Sequence, residues 1–139
     1  MALICMLVNI GILAYGAVTD YKRREIPDIV PIVLLLTGII SGWDFILLRI
    51  AELLLTASLF LISAKLTKSE LPGGDFKLIS ALAFSAGIPI LLFSLLLTGL
   101  GATLVGIARK QPTKRHIPLC SYIAPAYTVA CGLLFIITL

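Results

Sequence analysis

Two carboxylates stand out by their surroundings. Asp75 follows Leu71-Pro72-Gly73-Gly74 and precedes Phe76-Lys77, where a new apolar stretch opens. Asp20 ends the first apolar stretch and borders a polar segment. Two neighbouring carboxyls cannot both ionise cheaply, so they tend to share a proton. The ionised one can take a proton from water while the protonated one polarises a peptide carbonyl. That is general acid/base peptide hydrolysis, and it needs neither a metal nor a covalent intermediate. Each acid also has a plainer reading: Asp75 as a helix N-cap, Asp20 as one more charge at a span end. Taken together they favour chemistry, because both fall at one edge of the same set of spans.

No other constellation competes. The lone histidine, His116, stands beside Lys114 and Arg115 and reads as a solvated loop residue. Serines and cysteines have no recognisable histidine partner, so a nucleophilic triad is not supported. Cys5, Cys120 and Cys131 all lie in apolar segments without C-x-x-C spacing. Neither a zinc site nor a redox motif is suggested, and the three read as buried small side chains. No cofactor is called for.

The elements that must hold the two acids are membrane spans. The chain has 139 residues, one domain's worth, and is 60% hydrophobic and 13% charged. Soluble domains carry about 25% charged residues. A water-soluble globule of this composition could not hide its apolar surface, so the reading is an all-α, polytopic integral membrane protein. The net charge of +4 is not enough to point to nucleic acid. Met1 to Val18 is read as a retained span, because no basic region precedes it and the cations follow it.

About 20 apolar residues cross a ~30 Å hydrocarbon core. Met1 to Val18 is the first span, and Thr19 to Pro27 is read as a polar loop. The second runs from Pro27-Asp28 to about Ser41-Gly42, with Asp28 as N-cap, Pro31 in the first turn and Trp43 as an interface anchor. The third is about Phe45 to Ala64, where Arg49 and Glu52 share a helix face and can pair. From Leu78 to Ala108 there is no charge. Gly87 and Pro89 divide that run into a short fourth span, Asp75 to Ala86, and a full fifth, Pro89 to Ala108. The last span is Ile117 to Leu139, with Pro118 and Pro125 bending or delaying it.

Six spans result, and the cations test them. All of the 11 Lys and Arg except Arg49 fall in or beside the loops after spans one, three and five. The positive-inside rule makes that face cytoplasmic, puts both termini outside, and places Asp20 and Asp75 together on the cytoplasmic face. The ends of spans one and four are therefore expected to be neighbours. A helix from Asp75 to Ala86 is about 18 Å long, too short to cross alone. Either it begins below the membrane surface or it lines a watery recess. Gly73-Gly74 would suit a tight turn or a close backbone approach there.

With these residues in place, the sequence resembles the prepilin peptidases, membrane aspartyl proteases of the G-x-G-D kind. Asp20-Tyr21-Lys22-Arg23-Arg24-Glu25-Ile26-Pro27-Asp28 looks like the family's Asp, basic loop, Ile-Pro-Asn pattern. Gly73-Gly74-Asp75-Phe76-Lys77-Leu78 is similar to its second motif, although Pro72 stands where the first glycine is usual and Asp28 replaces asparagine. The resemblance extends to the late Ile117-Pro118 segment. It is nearest to the short, peptidase-only forms associated with Flp/Tad pili, with residues 1–139 as a single peptidase domain and no amino-terminal methyltransferase region.

The resemblance implies that Asp20 and Asp75 are the catalytic pair. It implies a prepilin-like substrate with a basic leader, a glycine and a hydrophobic helix, cleaved after the glycine at the cytoplasmic face of a prokaryotic inner membrane. Lys22, Arg23 and Arg24 would repel such a leader and are expected to meet lipid headgroups. Two other readings stay open: a G-x-G-D protease that cuts within transmembrane helices, and a small structural or transport subunit whose acids are merely ion-paired.

Overall fold

The computed structural model describes residues 2–68, 73–109 and 119–138. Glu70, the Leu71-Pro72 pair and the segment from Lys110 to Pro118, His116 included, lie outside the described residues. Among the described residues six helices follow one another: α1 (Ala2–Arg23), α2 (Ile29–Ser41), α3 (Ile46–Thr67), α4 (Gly73–Ala86), α5 (Ile88–Ala108) and α6 (Leu119–Thr138). A single 3-10 turn, Trp43–Phe45, joins α2 to α3, and no strand occurs among the described residues. The chain is an all-α polytopic membrane protein. Four helices are long and apolar enough to cross a bilayer, namely α1, α3 with its preceding turn, α5 and α6. The 13-residue α2 and the 14-residue α4 are shorter.

The helix ends follow local chemistry. α1 does not stop at Val18, as the hydropathy suggested, but continues through Asp20 to Arg23. Lys22 and Arg23 in its last turn suit the negative end of the helix dipole. Arg24 then takes φ 55° and its N–H closes on the Asp20 carbonyl at 2.8 Å. Asp28 stands at the N-cap position of α2 but makes no cap hydrogen bond. Its carboxylate goes instead to Lys77 Nζ, 3.1 Å away. Gly87 separates α4 from α5 with φ 89°, a conformation that side chains disfavour. Its N–H ends α4 on the Ala83 carbonyl and its carbonyl receives the Leu91 N–H of α5. Pro125 lies inside α6 without ending it.

Packing puts α4 at the centre. α1 lies against α2 and α6, α2 against α4, and α5 against both α4 and α6, while α3 packs on α4 from outside. Every residue of α4 from Leu78 to Ser85 is buried. That is more than two turns, so the helix is covered on all faces. Only Thr56 is buried in α3. Large side chains such as Leu47, Leu66, Ile107 and Ile137 face outward, which suits lipid.

Lipid is as apolar as leucine, so apolar burial gives these helices little reason to associate. Close packing and interhelical hydrogen bonds must do it. Both are present. Gly38 of α2 sits where a Cβ would fall 2.5 Å from the Phe84 ring of α4. Asn9 donates to Ser85 Oγ (2.6 Å) and to Tyr127 Oη (3.4 Å), and Thr37 Oγ1 donates to Asn9 Oδ1. This buried network ties α1, α2, α4 and α6 together at one level.

Candidate active site

The site is built from the buried stripe of α1. Cys5, Asn9, Leu13, Gly16 and Asp20 are its buried positions, spaced three or four residues apart along one helix face. Asp20 therefore belongs to the interior, not to a loop, and is only 6% exposed. A buried carboxylate needs partners. Asp20 finds them in the first turn of α6: Cys120 N–H donates to Oδ2 at 3.0 Å, and the Ser121 backbone supports the same group. The amino end of a helix has free N–H groups and a partial positive charge, both suited to a carboxylate.

That turn of α6 is fastened to α1 at more than one point. Ser121 Oγ donates to the Ala17 carbonyl at 3.0 Å, and Cys120 Sγ contacts the Leu13 carbonyl at 3.8 Å. Gly16 makes the approach possible, because a Cβ there would lie 3.0 Å from Cys120 Sγ and 3.1 Å from Val30 Cγ2.

Asp75 lies inside the first described turn of α4 and is half-buried, so it is not the residue that caps the helix. Gly73 and Gly74 form part of the same helix rather than a tight turn. A Cβ at Gly73 would meet nothing within 4 Å, and one at Gly74 would make only ordinary contact with Ile26. Among the described residues no other backbone approaches closely there, and Ile26 covers Gly74 with its side chain. Phe76 packs edge-on against Phe60 of α3, with ring centroids 6.2 Å apart. Lys77 reaches α2 through Asp28, but both groups are largely exposed. Such a pair contributes about 0–1 kcal/mol and serves to align the starts of α2 and α4 rather than to hold them.

The two acids are related by depth, although α1 and α4 do not pack broadly on each other. Cys120 lies within electrostatic reach of both Asp20 and Asp75. The level at which they meet follows from the helices. Asn9 of α1 touches Ser85 of α4. From Asn9 to Asp20 is about 16 Å along α1, and from Ser85 back to Asp75 is about 15 Å along α4. α1 and α4 run in opposite directions, so both acids arrive at the same depth, one level removed from the polar network. Arg49 and Glu52 do not join them. They pair at 3.7 Å, beyond hydrogen-bond length, beside Gly87 at the far end of α4. Among the described residues no three of His, Cys, Asp and Glu gather as metal ligands would.

Sequence reasoning missed the Cys120 and Ser121 amides, because a backbone donor has no signature of its own. The polar network left a fainter signal. Asn9 stands three helical turns before Asp20, an amide on the stripe that carries the acid.

A buried carboxylate fixed by a helix end, a second at the same depth, and a shell of lipid-facing helices define a helical membrane protein with an interior acidic site. Residues 7–107 match the model of the type IV leader peptidase family. The match covers most of the chain, and the protein belongs to that family. It is accordingly a peptidase, a hydrolase of the leader-peptidase kind. Searches of curated proteins and of solved structures give no significant match.

Proposed function

We propose that the protein is an aspartyl endopeptidase that removes the leader of prepilin-like proteins, with Asp20 and Asp75 as its catalytic pair. The observation that carries the reading is the arrival of both acids at one depth, set by the Asn9–Ser85 contact, with Asp20 held by the first turn of α6, in a chain of this family. The pair holds one proton. The ionised carboxylate takes a proton from water as its oxygen attacks the scissile carbonyl. The protonated carboxyl hydrogen-bonds the carbonyl oxygen and gives up its proton as the tetrahedral intermediate forms. Collapse of that intermediate returns a proton to the leaving amine and restores the pair.

The substrate carries a basic leader, a glycine at the cut and a hydrophobic helix. The open space beside Gly73 suits an extended backbone passing Asp75. The exposed Lys22, Arg23 and Arg24 meet anionic headgroups rather than the leader. The site faces the cytoplasm of a prokaryotic inner membrane, and residues 1–139 act as one peptidase domain.

Asn keeps the size of Asp but cannot take the proton. Asp20→Asn and Asp75→Asn should each abolish cleavage of a peptide with such a leader, and the double variant should be no worse than either single, because groups acting as a unit are non-additive. Substantial cleavage by either single variant, at equal membrane levels, sinks the aspartyl mechanism. If the acids were merely structural, both variants would cleave normally.

A further inference from the structure

One oxygen of Asp20 is already committed. Cys120 N–H donates to Oδ2 at 3.0 Å, and the donor comes from a helix remote in sequence from both acid-bearing motifs. The geometry points to the first turn of α6 as the positioning device of the catalytic site: it holds Asp20 by Oδ2, so that Oδ1 is the oxygen presented to the attacking water. The inference rests on the aspartyl-protease reading given above, and it assigns the Cys120 amide a role as a positioning group.

Three features support a built device rather than a chance contact. The carboxylate is buried, so its orientation is set by the protein and not by bulk water. The turn that supplies the donor is registered on α1 by Ser121 Oγ on the Ala17 carbonyl and Cys120 Sγ near the Leu13 carbonyl. These contacts fall on successive turns of α1 leading up to Asp20. Gly16 keeps open the notch that admits Cys120, since any Cβ there would crowd Sγ and Val30 at once.

What matters for Asp20 is the N–H, while the thiol helps seat the turn in the notch and against the Leu13 carbonyl. A carboxylate that lost this donor would keep only the Ser121 backbone as a partner, and its rotation about χ2 would be less restrained. Misplacement of a reacting group by about 1 Å can cost on the order of a hundredfold in rate.

The test removes the donor while sparing the side chain. Cys120→Ala keeps the N–H and is the reference variant, assayed for kcat and KM on a synthetic peptide of basic leader, glycine and apolar helix. Cys120→Pro deletes the N–H within a first helical turn, where proline is tolerated. It should lower kcat by about tenfold to a hundredfold, the range set by one hydrogen bond to a charged group, with KM unchanged. A proline can also disturb packing, so a second variant carries lactic acid, the hydroxy-acid counterpart of alanine, at position 120. Relative to Cys120→Ala, that ester exchanges the N–H for an oxygen that cannot donate, and it should reproduce the kcat loss without a change in KM. An ester variant with the parent's kcat overturns the proposal, as does a loss that appears equally in Cys120→Ala. An active Asp20→Asn would instead sink the underlying aspartyl reading, so the two failures are separable.

Discussion

Asn9 is the polar residue on which four helices depend. Its amide reaches Ser85 and Tyr127, and its carbonyl receives Thr37. Interhelical hydrogen bonds inside membranes contribute about 0.6 kcal/mol each on average, and up to about 2 in favourable cases. Replacing Asn9 by Leu removes three such bonds and leaves Thr37 and Ser85 with each other and the Leu34 carbonyl. The variant should lose about 1–2 kcal/mol, read as a lower unfolding temperature in detergent. The effect should reach cleavage as well, because the Asn9–Ser85 contact sets the depth at which Asp20 and Asp75 meet. A variant with unchanged stability would mean that the network follows the packing rather than directing it. Arg49 and Glu52 present the opposite case: their 3.7 Å separation is too long for a hydrogen bond, and they lie away from the acids.

Between elements, the critical joint is Gly87. With φ 89° it lets α4 end and α5 begin without an intervening loop. Alanine there would be strained by about 1–3 kcal/mol. Its Cβ would also lie 3.0 Å from Arg49 Nη1, but that flexible side chain can yield. Gly87→Ala should therefore unfold at a lower temperature than the parent. Gly11→Ala is the control, since a Cβ there meets nothing within 4 Å and alanine favours helix. The break at Gly87 was legible in the sequence, because glycine and proline interrupt an uncharged run too long for one crossing. The end of α1 was not. Hydropathy treats Asp20 as the edge of a span, whereas the helix carries it inward and an amide one hundred positions later receives it. No local pattern encodes that bond. Gly73-Gly74 misled for a related reason: a glycine pair permits a turn, but the chain continues there as helix. That Asp20 and Asp75 reach one depth was legible from their spacing against the apolar runs, and the partners of Asp20 were not.

For the molecule as a whole, the cations decide orientation. The loop from Arg24 to Asp28 and the end of α3 at Lys68 should face the cytoplasm, and the Trp43–Phe45 turn the opposite side. A cysteine placed at Tyr21 should resist a membrane-impermeant thiol reagent added outside intact cells, and one at Asp44 should react. Cys5, Cys120 and Cys131 are all buried, so background labelling should be low. The reverse pattern would turn the site to the wrong face for a cytoplasmic leader.

The shortness of α2 and α4 has a consequence for the surrounding lipid. The two helices start together at the Asp28–Lys77 pair and pack again where Gly38 meets Phe84, so they run side by side in the same direction. At 13 and 14 residues, each spans about 20 Å against a ~30 Å hydrocarbon layer. α3 screens α4 from one side, but α2 presents Ile32, Leu36 and Ile40 outward. Acyl chains along that flank must shorten or tilt to match it, a hydrophobic mismatch worth fractions of a kcal/mol per Å. A bilayer that follows this flank would dip beside the acids and bring the headgroup boundary toward them. Cleavage in vesicles should accordingly rise as the acyl chains are shortened from about 18 to about 14 carbons, since a thinner host removes the mismatch. A rate indifferent to chain length, at constant headgroup composition, would mean that the protein fills the gap itself.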